Sequence, residues 1–282
     1  MQHTWRAYRK TFLAGEYAAC QYGRGFVLTY GPPFKMIQNL TDQLSAFGNS
    51  VTAKYPSLKG LSFIDTEQAH GGVGASSAEL ACIYQCLCDH GLEQPGDLIS
   101  KRLWYRQHAW DGVGLPPSGI DFIAQIKPGL IWVDCEQNMC EQCVWPFTDY
   151  VWLVLKTNDK LNTHTHLKTL THEGDFKALN DLLDPIKTAL EQANLEGFIQ
   201  AQRHYDQALH DRGFSTQAHQ SLHEAIHTLP SVSYMRGCGA MGKDTWLVLT
   251  KRTDLSNTMK AIQAISATNI HYTIDLDTYD TN

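Results

Sequence analysis

The sequence predicts an α+β fold organised as two domains. First, the chain has 282 residues, a length that suits one large domain or two of modest size. Second, 43% of the residues are hydrophobic and 18% are charged, which is ordinary for a packed globular protein. Third, strand-like and helical runs are mixed without the regular strand–helix–strand rhythm of a doubly wound parallel sheet. We place the domain boundary near Pro146, which gives domains of residues 1–146 and 147–282.

The elements of the first domain follow the hydrophobic pattern. A short apolar run after Lys10 ends at a turn at Gly15, and residues 23–34 are strand-like up to a Gly-Pro-Pro stop. The other predicted elements are a helix at 36–51, a strand at 58–68, a buried helix at 76–90 that ends at Gly91, and a helix that continues as a strand at 118–135.

The second domain opens with a strongly apolar strand, residues 150–157, and continues with mostly helical spacing. A break is expected at Pro185 because proline cannot donate a backbone hydrogen bond inside a helix. The further predicted elements are helices at 173–183, 186–210, 216–228 and 255–266, a strand at 245–251 after a glycine-rich turn, and a closing strand at 270–277.

Charge and hydropathy exclude several classes of partner. The formal net charge is −6 and no run of lysine or arginine stands out, which argues against nucleic-acid binding. No stretch approaches the roughly 18 apolar residues of a membrane helix, and the N-terminus lacks an apolar core of signal-peptide length. We therefore expect a cytoplasmic protein with neither a membrane nor a nucleic-acid partner.

The cysteines and histidines favour packing and polar-surface roles over a metal site. Eight cysteines in a chain of this length do not indicate a disulfide framework. Cys135, Cys140 and Cys143 have a metal-like spacing, but no fourth ligand lies near them in the sequence. Two groups of histidines invite the same question and have simpler interpretations, a polar helix face for His219, His223 and His227 and a polar loop for His164, His166 and His172.

The stretch "HGGVGASSAEL", residues 70–80, places glycines immediately before the predicted buried helix. Glycines let the backbone approach a phosphate closely, and a helix N-terminus offers N–H groups and a positive dipole end. The hydroxyls of Ser76 and Ser77 add hydrogen bonds or a contact to Mg²⁺. The stretch matches neither GxxxxGK[ST] nor GxGxxG. Taken alone, it leaves two alternatives open, a phosphate cradle and a tight turn that caps a core helix.

Three further pieces of sequence accompany this loop. They are "KTFLAGEYAA" at 10–19, "PPSGIDFIAQ" at 116–125 and "GCGAMGKD" at 237–244. In this order, with "GVGASSA" at 72–78, they resemble the signature of the GHMP kinase superfamily. That signature has a lysine-containing strand ending in GEH or GEY, a GLGSSA-type loop, an SGxD segment and a late GAGGG-type loop. The resemblance implies a ribosomal-protein-S5-like N-terminal domain that binds ATP and a ferredoxin-like C-terminal domain.

Within the superfamily the details are most similar to bacterial phosphomevalonate kinases, with mevalonate kinases next. The resemblance implies a phosphotransferase of the mevalonate pathway, which makes isoprenoid precursors, with ATP and Mg²⁺ as cofactors. It would convert 5-phosphomevalonate into diphosphomevalonate and bind no partner beyond a small anionic substrate. The alternatives are a mevalonate kinase, a kinase for a sugar or amino alcohol, and a non-catalytic protein of this fold that binds nucleotides or anions. The sequence leaves the acceptor open, and a monomer and a homodimer both remain.

The resemblance also implies roles for individual residues. Lys10 and Asp121 are the expected catalytic pair, although a solvated lysine and a helix-capping aspartate explain the same residues. Arg236 and Lys243 flank the late loop and offer positive charge. The expected ATP-binding residues are Gly72, Val73, Gly74, Ala75, Ser76 and Ser77, with Ser76 also contacting the magnesium ion. The expected substrate-binding residues are Glu16, Ser118, Gly119, Thr165, Gly239 and Ala240, with Thr163 as a further candidate.

The sequence departs from the superfamily pattern in both glycine loops. Ala75 stands where the first serine of the central loop is usual, so one hydroxyl is lost while the backbone donors remain. Met241 and Lys243 stand where the late loop normally has glycines. Because a side chain at a glycine position can block close backbone approach, these two residues favour the non-catalytic alternative.

Overall fold

The computed structural model describes residues 3–38, 43–65, 73–156, 168, 176–215, 220–243, 245–265 and 270–279. Strands and helices are mixed along the chain and form two antiparallel sheets, so the α+β prediction is confirmed.

The first sheet has five strands: β1 (Thr4–Ala14), β2 (Arg24–Gln38), β3 (Leu61–Ile64), β4 (Gly129–Asp134) and β5 (Met139–Cys143). They lie in the order β1-β2-β4-β5, and β3 pairs with the far end of β2. The second sheet has four strands: β6 (Tyr150–Lys156), β7 (Val232–Cys238), β8 (Thr245–Lys251) and β9 (Ile270–Ile274). Their order is β7-β8-β6-β9. The predicted boundary near Pro146 falls between the last strand of the first sheet and the first strand of the second.

The described helices divide between the two halves of the chain. The first half contains α1 (Ala18–Tyr22), α2 (Ala46–Thr52), α3 (Ala75–Asp89), α4 (Leu98–Ala109) and α5 (Ile120–Ala124). The second half contains α6 (Lys177–Asp181), α7 (Leu183–Glu191), α8 (Leu195–Asp211), α9 (Gln220–His227) and α10 (Leu255–Ile265). Short 3₁₀ turns occupy Ala240–Gly242, Arg252–Asp254 and Leu276–Thr278. None of the helices in the described parts of the chain has the length and apolarity needed to span a membrane.

The expected stop at the Gly-Pro-Pro stretch was wrong, because β2 continues through it to Gln38. Arg9 of β1 pairs with Tyr30, whereas Ala7 pairs with Phe34, so residues 31–33 lie at an irregularity in the pairing. Prolines are tolerated at such bulges because no ladder hydrogen bond is required there.

Two helix predictions also needed correction. In the helix predicted at 36–51, residues 36–38 belong to β2 and residues 39–42 lie outside the described residues. Helix α2 begins after Ser45, whose hydroxyl accepts a hydrogen bond from the Gly48 N–H at 3.0 Å. Pro185 lies in the first turn of α7, where a missing N–H costs nothing, and the predicted break is present just before it, at Leu182 between α6 and α7. The helix predicted at 186–210 has a further break after α7 at Ala193, whose φ is +52°.

Side chains alternate between the two faces of each sheet, and the alternation defines the layers of the molecule. The inner faces of both sheets share one core with α6, α7 and α8, which includes Leu28, Trp132, Trp152, Phe198 and Leu249. Helices α3, α4 and α5 cover the outer face of the first sheet. Helices α9 and α10 cover the outer face of the second. The core therefore continues across the predicted domain boundary.

Candidate active site

The glycine turn before α3 packs directly against β1 and α5. Gly74 has a φ of +80°, and a Cβ on it would lie 2.7 Å from Lys10 Cγ and 2.9 Å from Gln125 Nε2. The Lys10 N–H donates to the Val73 carbonyl at 3.0 Å. The Gln125 side-chain amide donates to the carbonyls of Gly74 and Tyr8, at 3.0 and 2.7 Å. Only a glycine at position 74 lets the turn come this close to Lys10 and Gln125. These contacts hold the glycine turn, β1 and the end of α5 together.

The first turn of α3 holds the serines of the predicted phosphate site. N–H groups at a helix N-terminus have no acceptor within the helix. Ser76 is exposed on this turn, as the prediction requires of a ligand-contacting residue. Ser77 is buried, and its hydroxyl donates to the Gly74 carbonyl at 3.0 Å. Ser77 can therefore offer a ligand only its backbone N–H, whereas Ser76 can offer its hydroxyl as well.

Lys10 and Asp121 lie together beside this turn. Lys10 Nζ is 3.4 Å from Asp121 Oδ2, and the two side chains are 15% and 16% exposed. The ammonium group also lies 4.6 Å from the centre of the Phe12 ring. Partial burial strengthens both the ion pair and the cation–π contact, since the surroundings screen charge less than water does. The pair thus has a defined geometry and still reaches solvent.

Asp121 does not cap α5, so that alternative for this residue is not supported. Gly119, with a φ of +75°, occupies the cap position, and Asp121 lies in the first turn of the helix. Ser118 and Gly119 lie three and two residues before Asp121, which places these predicted substrate residues beside the Lys10–Asp121 pair. The Ser118 carbonyl accepts a hydrogen bond from Arg102 Nε at 2.9 Å.

Glu16 and Arg236 form an ion pair inside the protein. Arg236 Nη2 is 3.1 Å from Glu16 Oε2, and Arg236 Nε is 3.0 Å from Asp206 Oδ1. Burial raises the pKa of Glu16, and the Arg236 charge opposes that rise. The Tyr205 hydroxyl donates to the Glu16 carbonyl at 2.8 Å. Both charges are engaged within the chain, so the geometry gives these residues a structural role, and their contacts with substrate stay predictions.

The late glycine loop keeps its tight backbone despite the substitutions. Met241 has a φ of +59°, the left-handed conformation that a glycine would adopt. A Cβ on Gly237 would lie 2.5 Å from the Gly242 carbonyl oxygen, so glycine is retained where two segments touch. The Met241 N–H donates to the Tyr17 hydroxyl at 3.0 Å. Met241 therefore keeps the tight turn, and the effect of its side chain on close approach to the loop stays a prediction.

The predicted residues form two groups along β1. Lys10 and Phe12 share the face that packs toward α3, whereas Thr11 and Leu13 face the second sheet. The Thr11 and Thr245 hydroxyls lie 3.2 Å apart on that second face. The Lys10 group also contains Val73, Gly74 and residues 118–121. Glu16, Gly239 and the 3₁₀ turn at Ala240–Gly242 form the other group, where β1 meets the second sheet.

Some predicted residues cannot be compared with the structure. Gly72, Thr163 and Thr165 lie outside the described residues, as does the side chain of Ala240. Within the described ranges, no group of three or more metal-binding side chains comes together. Cys135 follows β4, and Cys140 and Cys143 lie in β5.

Arg102 and Gln125 contact the candidate site, but the sequence analysis missed both. Gln125 ends the "PPSGIDFIAQ" piece, so its position in that motif was a usable signal. Arg102 lies on α4, a helix that the hydrophobic pattern did not predict. No sequence signal for Arg102 was present.

No protein family profile and no curated protein sequence matches this chain. Solved structures do match. Phosphomevalonate kinase of Streptococcus pneumoniae superposes with a TM-score of 0.70 at 16% identity, covering 97% of this chain and 99% of that one. For L. major mevalonate kinase with R-mevalonate, the TM-score is 0.63 at 15% identity, with 93% and 91% covered. For Lactococcus lactis galactokinase with galactose, the TM-score is 0.69 at 14% identity, and the match covers 94% of this chain and 89% of that one.

These proteins phosphorylate acceptors of different kinds, yet each matches nearly the whole chain. At such low identity the similarity establishes the architecture and leaves the acceptor undetermined. The order of the sequence motifs, the two antiparallel sheets and the superpositions lead to the same conclusion: the chain has the GHMP kinase fold.

Proposed function

We propose that the chain is an ATP-dependent phosphotransferase that acts on a small anionic acceptor, with 5-phosphomevalonate as the first candidate. The observation that carries the proposal is the Lys10–Asp121 pair, 3.4 Å apart, beside the glycine turn that opens α3. Phosphoryl transfer depends on positioning and on neutralisation of charge more than on covalent chemistry by the protein. A lysine held by a carboxylate next to a helix N-terminus meets both needs.

The residues present fit the phosphates of a nucleotide. A Cβ at Gly74 would fill the space where the turn meets Lys10, and the 15-residue helix α3 directs its free N–H groups and its positive dipole end toward an anion. Mg²⁺ usually binds phosphate oxygens together with a small number of protein oxygens. The exposed Ser76 hydroxyl would be such a ligand, and the ion would neutralise phosphate charge.

Lys10 and Asp121 would divide the work at the reacting centre. The Lys10 ammonium group would stabilise negative charge on the phosphoryl group as it moves to the acceptor. A phosphate acceptor is already ionised at neutral pH, so Asp121 would mainly hold Lys10 in place. With an alcohol acceptor, Asp121 would also take up the hydroxyl proton.

Phosphomevalonate is preferred over mevalonate because of the sequence. "KTFLAGEYA" at 10–18 and the late loop, in which Asp244 follows the glycines, are closer to phosphomevalonate kinases. "PPSGID" at 116–121 is closer to mevalonate kinases, which keeps mevalonate as the alternative. The S. pneumoniae enzyme with phosphomevalonate and AMPPNP has a TM-score of 0.71 to this chain, which supports the fold and does not rank the candidate acceptors.

A coupled ADP-release assay with Mg-ATP tests the proposal, run separately with phosphomevalonate, mevalonate and galactose. We expect turnover with phosphomevalonate, and a loss of roughly 100-fold or more in kcat for Lys10→Ala and Asp121→Ala. Arg203→Ala, at an exposed position on α8, is the matched control. Turnover with mevalonate alone would change the substrate assignment. ATP binding without turnover on any acceptor would support the non-catalytic alternative.

A further inference from the structure

Two arginines one turn apart on α4 hold the segment that leads to Asp121. Arg102 donates through Nε to the Ser118 carbonyl at 2.9 Å and through Nη2 to the Ala19 carbonyl at 2.7 Å. Arg106 repeats this arrangement, with Nε donating to the Pro117 carbonyl at 2.9 Å and Nη2 donating to the Cys20 carbonyl. Each guanidinium group therefore connects the end of α1 to the residues just before α5.

The backbone is shaped to fit Arg102. Gly119 and Gly23 both have positive φ values, +75° and +71°. A Cβ on Gly119 would lie 3.1 Å from Arg102 Cγ, and a Cβ on Gly23 would lie 2.8 Å from Arg102 Nη1. The side chain is thus enclosed between two glycines, one in each of the segments that it joins.

This arrangement has an electrostatic cost. Burial and the neighbouring Arg102 charge together lower the pKa of Arg106 to about 10. Burial also lowers the pKa of Arg102. In the described part of the chain neither guanidinium forms an ion pair, so backbone carbonyls hold both charges. Two like charges that lie partly buried side by side destabilise the fold, so their presence supports a role in holding the geometry of this segment.

We propose that Arg102 and Arg106 are positioning residues that fix Asp121 against Lys10. Gly119 is the cap of α5 and Asp121 lies in its first turn, so a displacement of the Pro117–Ser118 carbonyls would rotate the start of that helix. A guanidinium group donates hydrogen bonds in two directions within one plane, whereas a lysine ammonium group has no such fixed planar arrangement of donors. The inference rests on the proposed phosphotransferase function.

The test compares Arg102→Lys and Arg106→Lys with Arg203→Lys, an exposed arginine on α8. We expect each of the first two to lower kcat by roughly 100-fold, because small displacements of catalytic groups have effects of that size. The KM for ATP should stay within about twofold of the wild-type value, since α3 is not displaced.

In an Asp121→Asn background, Arg102→Lys should have no further effect on kcat, because Arg102 acts through Asp121. Multiplicative effects of the two substitutions would overturn the inference.

A second measurement does not depend on activity. In a crystal structure of the Arg102→Lys protein, the separation of Lys10 Nζ and Asp121 Oδ2 should exceed the 3.4 Å of the wild type. An unchanged separation would overturn the inference. If Arg102→Lys does not fold, the structure of the Arg106→Lys protein is used in the same way. A wild-type protein that turns over no acceptor contradicts the proposed function, whereas the measured separation still decides whether the arginines position Asp121.

Discussion

At the scale of single residues, Gly74 and Lys10 determine each other's position. The turn reaches β1 only because position 74 has no side chain. The Lys10 N–H donates a hydrogen bond to the carbonyl of Val73, the residue before Gly74. Lys10 is held on its other side by Asp121 and the Phe12 ring. Lys10 is therefore held by contacts from the glycine turn to its backbone and side-chain stem, and from Asp121 and Phe12 to its ammonium group.

We predict that Gly74→Ala lowers kcat by roughly 100-fold, because the new methyl group displaces the Lys10 side chain. It should also lower the free energy of unfolding by about 1–2 kcal/mol, since alanine is strained at positive φ. Steady-state kinetics and urea denaturation measure the two effects. Gly91→Ala is the control, because Gly91 has a φ of +67° and open space around its position. Equal kcat values for the two variants would contradict the prediction.

Lys10, Gly74 and Asp121 were predictable as one site because they belong to motifs that occur in a fixed order. Gln125 and Arg102 were not proposed. The contacts of Arg102 to backbone carbonyls leave no pattern in a single sequence, whereas the position of Gln125 at the end of the motif at 116–125 was a usable signal. The pairing of Glu16 with Arg236 was also missed, because the two residues are far apart in the chain and their burial follows from the packing of two sheets.

At the scale of elements, strands and helices with a clear apolar period were predicted well. The buried helix predicted at 76–90 corresponds to α3, and the strands expected at 150–157 and 245–251 correspond to β6 and β8. The errors lie where the local signal and the tertiary context disagree. Prolines at a bulge resemble a strand end, and the helical spacing at 186–210 continues across the break at Ala193. Helix α4 has a weak amphipathic pattern because its two arginines bond inward while Ile99 and Leu103 are exposed.

The position of His223 on α9 predicts a pH dependence of the fold. His223 packs edge-on against Trp246, with ring centres 5.6 Å apart, and burial together with His227 lowers its pKa from 6.5. Below pH 6.5 the unfolded chain takes up a proton at this position while the folded chain resists it. The free energy of unfolding should therefore fall as the pH drops from 6.5 toward the folded pKa, with no contribution above that range.

We predict that His223→Gln makes this fall shallower, since glutamine does not titrate. Urea denaturation at a series of pH values between about 7 and 5 measures the slope. His204→Gln, at an exposed position on α8, controls for the loss of an imidazole elsewhere. Parallel slopes for the wild type and His223→Gln would show that another group controls the pH dependence.

At the scale of the whole molecule, one core joins the two sheets, and Arg236 lies at the junction. Its guanidinium group is paired with Glu16 after β1 and with Asp206 on α8, and it also donates to the Leu13 carbonyl. Removing one partner of a buried ion pair leaves a charge without compensation. Because the core is continuous, such a change should affect both halves of the chain together.

We predict that Arg236→Met lowers the free energy of unfolding by about 3–5 kcal/mol and keeps a single transition. Arg252→Met is the control, because Arg252 is 40% exposed and its ion pair with Asp275 lies at the surface. That change should cost about 1 kcal/mol or less. Denaturation followed by far-UV circular dichroism and by tryptophan fluorescence makes the comparison. Two separated transitions in the wild type would contradict the shared core.

The central claim is that the Lys10–Asp121 site transfers a phosphoryl group to a small anionic acceptor. The most direct measurement incubates the protein with ATP carrying ¹⁸O in its γ-phosphate and with phosphomevalonate, and follows the mass of the acceptor. The account predicts a product heavier by one labelled phosphoryl group, formed by the wild type and lost in Asp121→Ala. Label that stays in ATP or appears only in inorganic phosphate, with no change in the acceptor, would contradict it.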